Sequence, residues 1–207
     1  MTEHVRGTEG YASEADTLVA RYESLAAEDV HRAVLHLFPT APARVLDIGA
    51  GTGRDAAWFA AQGHDVVAVE PTEALRRRAM GLHPSPRITW IDDGLPELAV
   101  LRTHHQQFDL IMMTAVLMHL DAAERARAMP NIASLLAPEG MLIMRLRHGP
   151  VPPGRRMFDV TTADVTALAV PVGLDCVFEH HGGSLGVQNF SAGVTWTTLA
   201  LLRGSGA

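Results

Sequence analysis

Residues 45–55 read Val-Leu-Asp-Ile-Gly-Ala-Gly-Thr-Gly-Arg-Asp: an apolar run that meets an acidic residue, then glycine at every second position, then a helix-compatible stretch. A strand that ends in a glycine turn and opens a helix commits the chain to a βα unit whose backbone can approach a nucleotide-like ligand closely. The spacing bears on which ligand that is. A dinucleotide fingerprint reads G-x-G-x-x-G, with the helix N-terminus aimed at a pyrophosphate. Counted from Gly49, its last glycine falls at Arg54. Asp47 beside the loop would repel a pyrophosphate and favour a cationic ligand.

Asp47, Gly49, Gly51 and Gly53 closely resemble motif I of the class I S-adenosylmethionine-dependent methyltransferases, whose cofactor carries an ammonium and a sulfonium. The resemblance implies that the loop of Gly49, Ala50, Gly51 and Gly53 runs along the methionine part and ribose of the cofactor, with Asp47 at the acidic position before it. Residues 64–70 form a second apolar strand ending in Glu70, seventeen positions after Gly53 and followed by Pro71. A carboxylate there is suited to accept bonds from both ribose hydroxyls, and Glu70 matches the family position that does so. A third strand runs into Asp92-Asp93-Gly94-Leu95-Pro96. By resemblance one of Asp92 and Asp93 binds the adenine amino group and the other caps a turn. Residues 108–120, Phe-Asp-Leu-Ile-Met-Met-Thr-Ala-Val-Leu-Met-His-Leu, resemble the motif after the fourth strand in many small-molecule methyltransferases. That likeness sets Thr114 and Ala115 beside the cofactor, with Met118 and His119 on the turn behind them.

Strand and helix patterns alternate from residue 44 onward: strands near 44–48, 65–70, 87–91, 108–113 and 140–146, with helices near 54–62, 73–80, 95–102 and 121–137 between them. Such alternation implies a parallel sheet covered on both faces. Asp121 with Glu124 makes a capping box for the longest helix, and Gly140 is expected to follow its end. A helix over 161–170 precedes strands near 174–179 and 194–202, separated by glycines, which suggests an antiparallel pair. Ahead of the first strand, one helix starts near Ser13 and a second carries Val30, Val34, Leu35 and Leu37 and ends before Pro39. The first ten residues and residues 204–207 are expected to be loose. Pattern and resemblance together predict an α/β fold: a doubly wound Rossmann-like sheet of seven strands with an antiparallel last strand, helices on both faces and an N-terminal helical lid. One domain is expected over 1–207, with a cap over 1–40 and the Rossmann-like core over 41–207.

At 207 residues the chain suits one domain with a full core. Its formal charge of −6 argues against a non-specific nucleic-acid binder. Cys176 is the only cysteine, so no disulfide framework or thiolate metal site forms within one chain, and a packed core thiol is the expected state. No metal is expected. No charged-then-apolar leader opens the chain and no apolar run is long enough to span a bilayer, so the cytoplasm is the expected location, with no membrane partner, as monomer or homodimer.

The resemblance implies methyl transfer from S-adenosylmethionine, with S-adenosylhomocysteine as product, by in-line displacement. His119 is the candidate general base where the acceptor must lose a proton, or else a helix histidine that orders the loop. Residues 145–158 concentrate basic side chains at the ligand edge of the sheet, and Arg145 and Arg147 share one face. Arg147, His148 and Arg156 are the candidates to meet a carboxylate or phosphate on the acceptor, or else they pair locally at the surface. Tyr11 is a candidate lid residue, whereas Tyr22 shares a packing stripe with Leu18 and Leu25. Met118 completes the candidate acceptor residues. The Asn/Asp-Pro-Pro-aromatic motif of amino-methylating enzymes and a Pro-Cys nucleophile are both absent. A small-molecule acceptor, anionic where those arginines meet it, is therefore the leading expectation. An RNA or protein methyltransferase, or a non-catalytic cofactor-binding regulator, are the alternatives.

Overall fold

A computed structural model describes residues 5–204. Among these, one sheet contains β1 (Arg44–Ile48), β2 (Asp65–Val69), β3 (Ile88–Ile91), β4 (Phe108–Thr114), β5 (Leu136–His148), β6 (Leu174–Gly183) and β7 (Thr195–Arg203). Their order is β3-β2-β1-β4-β5-β7-β6, with β1 to β5 parallel and β7 antiparallel to both of its neighbours. The helices are α1 (Ala15–Glu23), α2 (Ala27–Val30), α3 (Arg54–Ala61), α4 (Glu73–Leu82), α5 (Ala99–Arg102), α6 (Ala122–Ser134), α7 (Thr162–Ala169) and α8 (Val187–Ser191). From β1 the chain first builds outward to β3, then crosses back to lay β4 on the other side of β1. Ligands of open α/β sheets bind at such a reversal, beyond the carboxyl ends of the strands.

The central strands read as unbroken apolar runs because both faces of the sheet are covered. Along β4, Leu110 and Met112 enter one core cluster with Phe59 of α3, while Ile111 and Met113 enter the other with Met129 and Ile132 of α6. β1 divides the same way, Val45 to one side and Leu46 and Ile48 to the other. The predicted capping box is present: Asp121 accepts from the Glu124 amide at 2.9 Å, and Glu124 accepts from the Asp121 amide at 2.8 Å.

Four local expectations are corrected. The helix expected to carry Val30, Val34, Leu35 and Leu37 is instead the single turn of α2 and a 3-10 turn over Leu35–Leu37; Val30 and Val34 are buried, whereas Leu35 and Leu37 are half-buried. α6 ends at Ser134, and Gly140 lies inside β5, where a Cβ would come within 2.8 Å of the Ala137 carbonyl oxygen. Cys176 is exposed, because β6 is the sheet edge and most of its side chains face outward. Residues 5–10 are not loose: Val5 and Gly7 pack toward Gly94 and His119. Residues 1–4 and 205–207, also expected to be loose, lie outside the described residues.

Candidate functional site

A cavity of about 450 Å3 opens at the carboxyl ends of β1, β2, β4 and β5, and the segment from Val5 through α1 covers it. On one side lies the glycine loop. Gly49 and Gly51 have φ of 71° and 58°, in the left-handed region that favours glycine. A Cβ on Gly49 would strike Val116 at 2.6 Å, whereas one on Gly51 would meet nothing nearer than 3.9 Å, so the Gly51 face is open to a ligand. Glu70 ties the loop to the end of β2: one carboxylate oxygen accepts from the Gly51 amide at 2.9 Å and the other from the Thr72 amide at 2.7 Å. Burial nevertheless lifts Glu70 above the usual carboxylate range.

Asp47 and Asp55 are both buried, with opposite consequences. Burial first, then the neighbouring Asp55, pushes Asp47 well above its ordinary value, and its Oδ2 has no hydrogen-bond partner. Burial also opposes charge on Asp55, but His31 at 2.9 Å and Arg54 at 2.7 Å outweigh it and hold Asp55 ionised far below the usual range. Thr114 donates to the same carboxylate at 3.0 Å, so its hydroxyl is already engaged at the cavity wall. Ala115 sits at φ 62°, a conformation costly for a residue with a Cβ, and its amide is held by the Arg145 carbonyl at 2.9 Å. An orphaned buried carboxyl oxygen, an open glycine face and a rim carboxylate fit a cationic aminoacyl nucleoside such as S-adenosylmethionine.

Across the cavity, Tyr11 and His119 meet at 3.0 Å between Oη and Nε2. His119 Nδ1 lies 2.8 Å from the Arg156 carbonyl oxygen, which can only accept. Nδ1 therefore carries the proton, and Nε2 accepts from the Tyr11 hydroxyl. Burial lowers the His119 pKa, with Arg155 and Arg156 adding to the effect, so the imidazole is neutral. Burial raises Tyr11, and the phenol keeps its proton. Arg155 stacks over the Tyr11 ring at 4.2 Å and bonds Glu14 at 2.8 Å, fastening the cap to the 149–160 loop.

Of the predicted residues, Asp47, Gly49, Ala50, Gly51, Glu70, Pro71, Thr114, Ala115, Tyr11, Met118, His119 and Arg147 line this cavity. Five do not. Gly53 opens α3 and lies under Trp90 and His83, where a Cβ would meet the indole at 3.0 Å. Asp92 points to Arg76 at 2.7 Å, and Asp93 accepts from the Gly94 and Leu101 amides, so it caps α5. His148 contacts Asp159 and Thr197. Arg156 bonds Asp121 and Glu124, the two members of the capping box, at 2.9 and 2.7 Å. The side chain expected to meet the acceptor instead anchors its loop. Conversely, Arg21, Tyr22, Arg145, Arg155 and Trp196 line the cavity without having been singled out as site residues. Arg145 and Arg155 lay in the basic segment already noted, but nothing in the pattern of α1 or β7 announced Arg21 or Trp196.

Fold and cavity define a Rossmann-like, class I S-adenosylmethionine-dependent methyltransferase. A family model described as a methyltransferase domain matches residues 19–159, and the chain belongs to that family. No curated protein matches the chain. Among solved structures it is similar to 1,6-didemethyltoxoflavin-N1-methyltransferase of Burkholderia thailandensis, crystallised with 1,6-didemethyltoxoflavin and S-adenosylhomocysteine. The two are 21% identical with a TM-score of 0.69, over 99% of this chain and 92% of that one. A TehB-like methyltransferase of Corynebacterium glutamicum is 21% identical with a TM-score of 0.68, over 92% and 98% of the chains. Magnesium protoporphyrin IX methyltransferase of Synechocystis, with bound S-adenosylmethionine, is 16% identical with a TM-score of 0.66, over 99% and 87%.

Proposed function

We propose that the chain methylates a small, negatively charged acceptor whose nucleophilic atom gives up a proton at the Tyr11–His119 pair. The observation that carries this reading is that pair, hydrogen-bonded inside the same cavity as the glycine loop, Asp47 and Glu70. When bound, S-adenosylmethionine supplies an electrophilic methyl group on a sulfonium and leaves as S-adenosylhomocysteine. Asp47 would hold the cationic end of that ligand and Glu70 its ribose hydroxyls, while the loop from Gly49 to Gly51 would let the backbone lie against it. Thr114 and Ala115 line the same cavity and would lie beside the cofactor. As the acceptor atom attacks, its proton passes to Tyr11 Oη while the phenol's own proton moves to His119 Nε2. The imidazolium so formed is held at Nδ1 by the Arg156 carbonyl. Of the described residues, those from 5 to 40 form the cap that closes the cavity, and those from 41 to 204 carry the sheet.

Among the described residues no helix is long and apolar enough to cross a membrane. The acidic net charge argues against a nucleic-acid partner, and the enzyme we propose is cytoplasmic and acts as monomer or homodimer.

A screen of S-adenosylhomocysteine release against carboxylates, phenols, amines and thiols, in charged and neutral versions, tests the reading. Turnover is expected with an anionic acceptor. With that acceptor, Tyr11→Phe should lower turnover by about 10²- to 10⁴-fold, the usual worth of general acid–base catalysis, and leave cofactor affinity intact. The acid limb of the wild-type profile should fall below the ordinary histidine pKa, because burial lowers His119; Arg155, Arg156 and Glu9 are the charges that face it. Turnover restricted to neutral acceptors, or a Tyr11→Phe enzyme as fast as wild type, would reject it.

A further inference from the structure

We infer that Arg21, Arg145 and Arg147 form a binding site for the carboxylate or phosphate group of the acceptor. Arg145 and Arg147 stand two residues apart on β5 and so share a face of the sheet, while Arg21 reaches the same cavity from α1. Among the described residues, none of the three makes an ion pair with a carboxylate. The neighbouring arginines behave otherwise. Arg54 is matched by Asp55, Arg155 by Glu14, and Arg156 by Asp121 and Glu124. In a chain with more acidic than basic residues, three unmatched guanidinium groups in one cavity wall need an explanation.

Burying a charge without a partner costs free energy that an anionic ligand would return. Arg21 Nε is buried and has no acceptor. Burial, with Arg54 adding to it and Asp55 only partly opposing, draws Arg145 down to about 10, and burial lowers Arg147 as well, with Arg21 adding to it. Two of the planar forks are held in place by rings. Arg145 lies over Trp196 at 4.5 Å, and Arg21 lies against Tyr22 and donates to its hydroxyl at 3.3 Å. Guanidinium groups held flat in this way lose little entropy on meeting a planar or tetrahedral oxyanion, which they engage through paired N–H bonds. The acceptor then has two handles, an anionic group at these arginines and a nucleophile at Tyr11.

This inference rests on the methyl-transfer reading for the identity of the ligand, but its test does not depend on turnover. The full-length protein saturated with S-adenosylhomocysteine is titrated with benzoate, phenyl phosphate and the neutral isostere benzamide in a calorimeter. One of the two anions should bind, about tenfold or more tighter than benzamide, and the tighter of the two identifies the headgroup. Arg145→Met and Arg147→Met should each weaken that anion by about ten- to a hundredfold while S-adenosylhomocysteine binds as before, which shows that the variants are folded. Arg147→Lys should recover part of the loss, since it restores charge without the fork. Equal affinity for anion and amide, no anion binding at millimolar concentration, or Met variants that hold the anion like wild type would overturn the proposal. If wild-type protein failed to bind S-adenosylhomocysteine at all, the methyltransferase reading would be the one to fall.

Discussion

The acidic and basic sides of the cavity are assembled by different means. Asp47 and Glu70 stand at the ends of adjacent parallel strands, and their loop is fixed by short-range bonds such as Gly51 to Glu70, nineteen positions apart. The basic side draws on α1, β5, β7 and the 149–160 loop. Its contacts join residues far apart in the chain: Tyr11 to His119 across 108 positions, and Arg155 to Glu14 across 141. One side is thus built within a βαβ unit, whereas the other needs the cap docked against the sheet. The electrostatics differ too. The acidic side stores a buried carboxyl with one oxygen unpartnered, and the basic side unmatched guanidinium groups; each lacks what a ligand of opposite charge would bring.

The largest effect that would break this contrast is expected at Asp47. Asp47→Asn should weaken S-adenosylmethionine binding by about 2–5 kcal/mol, the cost of truncating one partner of a buried charge pair. The same change should stabilise the ligand-free protein at neutral pH. Because the folded state raises the Asp47 pKa, its contribution is fully present below the ordinary carboxylate value and is lost as pH rises toward the folded value. Thermal melts of wild type and Asp47→Asn across pH should therefore converge in acid and separate as pH rises. Curves that stay parallel would mean that Asp47 is ionised in the empty cavity.

Next in size, Glu70→Gln should cost about 1–3 kcal/mol of cofactor affinity, because an amide cannot accept from Gly51 and Thr72 and serve a ribose as well. Affinity equal to wild type, measured by calorimetry, would detach the end of β2 from the ligand. Arg156→Met should cost stability rather than binding, about 1–2 kcal/mol in denaturant melts, since it leaves buried Glu124 with the Asp121 amide but without its guanidinium partner. A loss of anion affinity without loss of stability would move Arg156 back to the acceptor. The smallest effect belongs to Asp92: its side chain is 45% exposed and pairs with Arg76, so Asp92→Asn should shift cofactor affinity by less than about 0.5 kcal/mol.

The short-range side was legible in the chain. Alternating glycines after Asp47, and Glu70 at the next strand end, state a turn and its ligand chemistry within a few residues, and the fold's strand–helix alternation is equally local. Gly53 was misread because helix packing and ligand approach ask for the same residue. Arg156 was misread because charge in a loop says nothing about whether a capping box lies within reach. Of the two duties expected of Asp92 and Asp93, the cap falls to Asp93, while Asp92 pairs with Arg76, a choice that depends on where Arg76 and Leu101 come to rest.

By itself the sequence determined the doubly wound sheet, its antiparallel last strand, the capping box of α6 and the glycine turn after β1, because periodicity, turn chemistry and strand-end carboxylates act over short distances. Only the tertiary structure decided that Tyr11 donates to His119, that Arg156 is an anchor, and that Arg21 joins Arg145 and Arg147. Those outcomes turn on which charges find partners when distant segments pack, and burial makes each match or mismatch count.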